Sequence, residues 1–391
     1  MVVCAGCSCL CDDVEVELDG ERVVKVKHAC RIGASIFLNY NVSRAEPMVN
    51  GKPTDIDDAI EKAIELLKGS RKVAIYGLDN TTLEAQGIAI DLAEKIGALI
   101  DNGSKFGRLV ELILKNEIPT TTLENVKDYA YVIVYWGCDV HNSMPRHMSR
   151  YTYYPRGKKR QRGYEEDRFL VVVDVRRSHT AMLAKKNAVF IETNDDQKLV
   201  REFISALNGG VASRDVLRIV KEVKKSEFNV VFGGEGLVRG LKNLNDFVEF
   251  VKKFGYFIPA DYHTNSMGFF KIMFERTGRA DSYCFGNDSV VSFEDALMNG
   301  DVDTVLIVAD DPLNSMSFDV ARKLVKVNTI VIDPKQSFTS KIADVVIPSA
   351  ISGVECGGTM VRSDGVSVEL KPMFKSEFDD VKILKRIQRG L

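Results

Sequence analysis

From Lys72 to Pro348 the chain repeats one pattern, a short and nearly unbroken apolar run followed by a polar or amphipathic stretch. The runs read KVAIYG, ALID, YVIVYWG, FLVVVDV, AVFIE, NVVFGGEG, TVLIVADDP, TIVIDP and ADVVIP. A strand with one face in water alternates apolar and polar residues; these do not, so they read as strands buried on both faces. Double burial needs helices on either side, which makes the expected fold α/β with mostly parallel sheets. The first connecting helix is legible in TDIDDAIEKAIELLKG, where Ile56, Ala59, Ile60, Ala63, Ile64 and Leu67 share a face. Thr54 is its candidate N-cap and Gly69 its stop. With 391 residues, 45% of them apolar, the chain is long enough for two or three domains.

Many of these runs end in glycine or acid: Gly77 and Asp79, Gly137, Asp174, Gly233 and Gly234, Asp310 and Asp311, Asp333. In open α/β sheets ligands bind beyond the carboxyl ends of strands, where glycine admits close backbone approach and acids bond ribose or base edges. The pattern points to nucleotide-like ligands, although each loop taken alone is also an ordinary turn. Neither G-x-x-x-x-G-K-[ST] nor a G-x-G-x-x-G after a strand occurs, so the common phosphate loops are excluded.

The other concentrated signal is CAGCSCLCDDVEVELDGERVVKVKHACRIG, which holds five of the eight cysteines. Cys4, Cys7, Cys11 and Cys30 are spaced C-x2-C-x3-C-x18-C. Between the third and fourth, Val14, Val16 and Leu18 alternate with acids, Asp19 and Gly20 turn the chain, and Val23 to Val26 returns. Such a hairpin brings Cys30 back beside the others. Four thiolates can hold zinc or an iron–sulfur cube. Zinc ribbons join two C-x-x-C knuckles and only one is present, so the spacing favours a cube over structural zinc or unliganded thiols. Cys9 is spare, and a shifted ligand set using it stays open. His28 reads as a hairpin side chain.

Charge excludes some partners. With 53 basic and 55 acidic residues, overall electrostatics imply no nucleic acid. No run reaches the roughly 18 apolar residues of a membrane span, and no secretion signal opens the chain, so it reads as cytoplasmic. In a reducing compartment clustered thiols are metal ligands sooner than disulfides. The stretch RYTYYPRGKKRQRGYEEDR reads either as a solvated loop or as a phosphate or RNA contact.

The segments CDD and ACRIG, VYWGCDVHNSMPRHMSR, VVVDVRRSHTAMLA, VADDP and ADVVIPSAISGVECGGTMVRSDGV span almost the whole chain. In this order they resemble molybdopterin oxidoreductases and, more narrowly, the B subunits of formylmethanofuran dehydrogenases. The resemblance implies a small N-terminal iron–sulfur β domain plus two α/β domains. Residues 1–50 with 351–391 would form the cluster domain, 51–115 with 281–350 one dinucleotide-binding domain, and 116–280 the other. It assigns Cys4, Cys7, Cys11 and Cys30 to a [4Fe-4S] cluster that feeds tungsten or molybdenum held by two molybdopterin guanine dinucleotides. Gly137, Cys138, Asp139, Arg146 and His147 would line a dinucleotide site, with Asp174 on a guanine edge and Arg176 or Arg177 on phosphate. Asp310, Asp311 and Pro312 match a loop for the second dinucleotide. The basic stretch has a family counterpart, which leaves RNA a minor alternative. The implied reaction is reduction of CO2 to formate, or the reverse, with formate passed to another subunit for condensation with methanofuran. Implied partners are a small pterin-capping β-barrel subunit, an amidohydrolase-like subunit and a ferredoxin-type electron donor, with no nucleic acid and no membrane span.

One departure stands against this. The family carries a cysteine or selenocysteine ligand, then histidine, on the loop after the strand matching ALID. Here that loop is DNGSKFGRLVEL, and Phe106, Gly107 and Arg108 occupy the matching positions. The family's active-site arginine also lacks an evident match near RADSYCFGNDSV. Either the chain is a divergent electron-transfer or scaffold subunit, or another residue, Cys284 or Cys356, substitutes; Cys138 reads as a wall residue.

Overall fold

The computed structural model describes residues 1–391. Strands β1 (Glu15–Asp19) and β2 (Arg22–Lys27) form the N-terminal hairpin, turned at Gly20 in the left-handed region (φ +59°). Two short strands follow, β3 (Met48–Val49) and β4 (Lys52–Pro53), then β5 (Val73–Gly77) and β6 (Leu99–Asp101). The middle of the chain supplies β7 (Val132–Trp136), β8 (Phe169–Asp174), β9 (Ala188–Glu192), β10 (Val230–Gly233) and β11 (Tyr256–Pro259). The last third adds β12 (Tyr283–Cys284), β13 (Thr304–Val308), β14 (Asn328–Asp333) and β15 (Val345–Pro348), then the hairpin β16 (Gly358–Val361) and β17 (Ser367–Leu370).

Two sheets carry the body. One has the order β12-β6-β5-β13-β14-β15-β3-β4, parallel from β6 to β15 and antiparallel at both margins. The other is wholly parallel, β11-β10-β7-β8-β9. Strands β5, β7, β8, β10 and β13 are buried almost throughout, which accounts for their unbroken apolar sequences. In each sheet the winding reverses once, between β5 and β13 in the first and between β7 and β10 in the second. Such reversals leave crevices at the carboxyl ends of the strands.

Local signals act mostly as read. The helix Ile56–Gly69 buries Ala59, Ile60, Ala63 and Leu67, but its N-cap is Asp55, whose carboxylate accepts the Asp58 N–H at 2.8 Å. Thr54 donates instead to the Asp58 side chain at 3.1 Å. Asp lies in the better register here because its oxygen reaches the third amide, as a cap requires.

Two helices depart from the expected domain grouping. Ser266–Thr277, expected with the middle domain, buries Met267, Phe269, Phe270 and Met273 in the core of the eight-stranded sheet. Asp380–Gly390, expected with the cluster domain, packs Ile383, Leu384 and Ile387 into that same core. Both are amphipathic helices whose apolar faces seek the largest apolar surface nearby, which chain order does not reveal. The β16–β17 hairpin closes over the cysteine loop, joining Met360 and Leu370 to Leu10.

The basic stretch is a strap in which Arg160 and Arg168 are committed to the protein itself, while Arg156 and Lys159 are exposed. Arg168 is fully buried and donates to the carbonyls of Val126, Ala130, Lys127 and Pro155, so it closes the C-terminal end of the helix Leu123–Tyr129. Arg160 donates to the Tyr129 carbonyl at 3.1 Å and lies over the Tyr131 ring. Tyr153, Tyr154 and Tyr164 pack on one another. No helix is long and apolar enough to cross a membrane.

Candidate cluster and cofactor site

The loop from Cys4 to Cys11 is closed by the Cys4 N–H on the Cys11 carbonyl (2.8 Å) and the Leu10 N–H on the Cys7 carbonyl (3.1 Å). Leu10 takes a left-handed conformation (φ +40°), a strained backbone for a branched residue that this tight loop imposes. Cys30 occupies the N-cap of the helix Arg31–Leu38, yet its side chain makes no capping bond, which leaves the thiol free to turn toward the loop. One turn on, Gly33 faces Cys4 so closely that a Cβ there would lie 2.8 Å from its Sγ. Burial first, then the neighbouring thiols of Cys7, Cys11 and Cys30, push Cys4 up to about 12. Burial likewise pushes Cys11 up to about 11, against the pull of Arg146 and Arg150. Burial and neighbouring thiols thus oppose the ionisation of Cys4 and Cys11, a conflict that bound metal relieves.

Asp79, Asp261 and His263 bring one ligand atom each within 4.8 Å of one another. Cys9 is fully buried beside Cys7, inside the loop.

Two cavities adjoin this loop. The first, about 560 Å³, is lined by Gly6 and Ile32 on the cysteine side. Opposite stand Gly103–Phe106 after β6, Gly137–Asp139 after β7, Arg176 after β8, Glu235 after β10 and Asp261–His263 after β11. Both sheets therefore open into it by their carboxyl ends. At the β7/β10 crevice a Cβ on Gly234 would lie 2.3 Å from the Gly137 carbonyl, and one on Gly137 2.2 Å from the Leu237 nitrogen, so both positions exclude a side chain. The second cavity, about 370 Å³, lies at the β5/β13 crevice, with Asn80, Ala309, Asp333 and Lys335 facing Gly6 and Ile36. Burial pushes Asp333 up to about 7.

The residues singled out from sequence divide. Gly137, Cys138, Asp139 and Arg176 line the first cavity, and Arg177 is exposed beside it. Asp139 also staples the neighbouring loops, accepting from the Thr180 amide and hydroxyl and from Asn142. Asp174 ends β8 with its carboxylate on the Val175 amide. Two assignments are corrected: Arg146 and His147 do not reach the cavity. Arg146 makes two 2.6 Å bonds to Asp13, tying the middle sheet to the cluster loop. His147 is 1% exposed, bonded to the Tyr135 hydroxyl, and burial lowers its pKa to about 3, so it is a neutral core residue. Asp311 and Pro312 are also structural. Asp311 caps the 338–339 turn through the Phe338 and Thr339 amides, and Pro312 is the buried first residue of a short helix. Asp310 stays beside the β5/β13 crevice, its Oδ1 on the Asp311 amide.

No soft ligand sits where the family has one. Phe106 lines the cavity, but Gly107 opens the helix Gly107–Leu114 with its α-carbon against another loop, and a Cβ there would lie 2.3 Å from the Ala280 carbonyl. Arg108 is exposed. The substitutes weighed from sequence are also removed: Cys284 pairs with Leu99 at the amino end of β6, and Cys356 sits in a separate cavity with Thr81, Thr82 and Glu84. What the sequence reading missed is His263. It shares a hydrogen bond with Asp261 Oδ1 at 2.8 Å and lies 3.6 Å from Asp79 Oδ2. Burial pulls its pKa down, but the bond to Asp261 and the charges of Asp261 and Asp79 prevail and hold it at about 10. The available signal was PADYHTN directly after an apolar run, the same strand-end rule that flagged Asp79. Ser8 donates to the Asp261 carbonyl (2.5 Å) and Thr264 to the Ala5 carbonyl (3.2 Å), so this loop is fastened to the cysteine loop.

Comparison with known proteins places this architecture. No family model matches the chain. It is 32% identical over 425 aligned positions to the B subunit of the tungsten-containing formylmethanofuran dehydrogenase 2 of Methanocaldococcus jannaschii, covering 98% of this chain and 96% of that one. The B subunit of the same enzyme from Methanococcus maripaludis is 31% identical over 422 positions, covering 99% and 97%. Among solved structures, the formyltransferase/hydrolase complex (FhcABCD) of Methylorubrum extorquens with methylofuran superposes with a TM-score of 0.68 at 19% identity. That match covers 88% of this chain and 98% of the other, and at such identity it speaks for the fold alone. With relatives matched nearly end to end, the chain belongs to the family of formylmethanofuran dehydrogenase B subunits.

Proposed function

We propose that this chain is the iron–sulfur subunit of a formylmethanofuran dehydrogenase complex, serving the reduction of CO2 to formate, or its reverse, for formylmethanofuran formation. The observation that supports the reading is the placement of the Cys4–Cys11 loop, through Gly6, on the wall of a cavity into which both sheets open. Cys4, Cys7, Cys11 and Cys30 would hold a [4Fe-4S] cluster and pass electrons toward that cavity. The glycine crevice at Gly137 and Gly234 would admit a guanine dinucleotide, with Asp174 on its base and Arg176 or Arg177 on its phosphates. The crevice at Asn80, Ala309 and Lys335 would admit the second. The relatives' names support tungsten as the metal, with molybdenum its chemical alternative; bound there, it would supply two-electron chemistry at carbon. A multi-subunit structural neighbour supports assembly with other subunits, among which we place a pterin-capping β-barrel, an amidohydrolase-like subunit and a ferredoxin-type donor.

The residues fit the cluster but not the metal's protein ligand. Residues 102–108 offer neither thiolate nor imidazole, and Gly107 has no space for a side chain. We therefore assign no chemical step to a tungsten centre on this chain. That same observation favours a second reading, an electron-transfer or scaffold subunit that keeps the cluster while catalysis lies elsewhere.

Metal analysis of the anaerobically purified complex, with formylmethanofuran-dependent viologen reduction, tests both. About four irons per chain with tungsten or molybdenum and turnover support the first reading. Iron with neither metal supports the second. Zinc alone overturns both.

A further inference from the structure

The two cavities are built on one repeated unit. In the eight-stranded sheet β6-β5-β13-β14-β15 has the order and parallel sense of β11-β10-β7-β8-β9. The match extends to single bonds. Gly234 and Leu78 donate to the Trp136 and Val308 carbonyls at 2.8 Å, and Gly137 and Ala309 donate to those of Val173 and Ile332 at 2.8 and 2.9 Å. Asp139 accepts from the amide and hydroxyl of Thr180, and Asp311 from those of Thr339. Asp174, Arg176, Ser178 and Thr180 therefore correspond to Asp333, Lys335, Ser337 and Thr339 at equal offsets.

We propose that the two crevices are unequal, the first being the chain's high-affinity site for a nucleoside diphosphate and the second a weak one. This rests on the reading of both crevices as dinucleotide sites and ranks them. One difference is the wall. The turn at Gly137 (φ +64°) recurs at Ala309 (φ +52°), so the second cavity carries a methyl where the first presents bare backbone. Bare backbone is what lets a phosphate come close to the peptide groups.

The other difference is the cation. Arg176 lines the first cavity, and its guanidinium is bonded to no protein group. Its counterpart Lys335 lines the second, but its ammonium donates to the carbonyls of Asn39, Tyr40 and Val42 at 2.6, 2.9 and 2.5 Å. An ammonium has three donors, so every one is engaged just past the helix Arg31–Leu38. A phosphate in the second crevice must compete with those carbonyls for the lysine. In the first it meets a free, forked cation that can bind two of its oxygens at once.

Calorimetric titration of GDP, which carries the guanine and diphosphate of the dinucleotide, into the full chain produced in a host without pterin cofactors tests the ranking. One tightly bound GDP per chain is expected. Arg176→Met should weaken it by about tenfold or more, and Lys335→Met by less than about twofold. Two equal sites, equal losses in the two variants, or binding unchanged in Arg176→Met overturn the ranking while leaving the crevices as nucleotide sites. No binding at all overturns it together with the dinucleotide reading, so the two failures are told apart. Should Lys335→Met fail to fold, the stoichiometry and Arg176→Met still decide.

Discussion

Replacing His147 with glutamine should change how the protein's stability depends on acidity, and the structure sets both sign and size. The ring is sealed between Tyr135, 3.0 Å from its Nδ1, and the face of Phe232, with centroids 4.7 Å apart. Burial, reinforced by the charge of Arg362, lowers its pKa from 6.5 to about 3. Between those values the unfolded chain binds a proton that the folded one refuses. The stability carried by the neutral ring is thus complete above pH 6.5 and is lost as pH falls toward 3. At pH 4.5, two units below the unfolded value, the loss is about 2.7 kcal/mol. Glutamine gains no proton, so the stability gap between wild type and His147→Gln should shrink by about that amount between pH 7.5 and 4.5. Urea unfolding followed by the single tryptophan, Trp136, which ends β7, reads it directly. Equal acid sensitivity in the two proteins would count against a sealed ring and return His147 to a solvent-reached, ligand-facing position.

Two further outcomes follow from the packing. Gly33→Ala places a methyl 2.8 Å from Cys4 Sγ, so iron per chain should fall and the folded state should lose about 1–3 kcal/mol from overpacking, measured by iron analysis and denaturant midpoint. Arg168→Met strips four carbonyls of a buried donor and should cost roughly 3–5 kcal/mol in the same unfolding assay, whereas exposed Arg177→Met should change stability by less than about 0.5 kcal/mol.

The sequence was most legible where one physical rule acted locally. Strands β7 and β8 announce themselves because double burial forbids polar residues, and the β1–β2 hairpin because alternation and Gly20 leave one turn. The cysteine loop is legible as a closed turn because Cys4, Cys7 and Cys11 share one short stretch of backbone. Legibility failed where the outcome depends on which distant surface a side chain meets. Arg146 looks like a residue lining a dinucleotide site until Asp13 is seen across from it, and His147 does so until Phe232 and Tyr135 enclose it. The same holds for the helix Asp380–Gly390, whose apolar face gives no hint of the sheet it covers. His263 was passed over because its meaning arises from Asp79, some 180 residues earlier in the chain, and no spacing rule joins the two.

Everything proposed for electron flow depends on Cys4, Cys7, Cys11 and Cys30 holding an iron–sulfur cluster. Iron and zinc quantitation of anaerobically purified wild-type and Cys4→Ser protein, with EPR of the dithionite-reduced samples, tests it in one step. Expected are about four irons per wild-type chain, a reduced-cluster signal, and loss of both in the variant. One zinc per chain, or iron that persists unchanged in Cys4→Ser, would show that these thiols hold no such cluster.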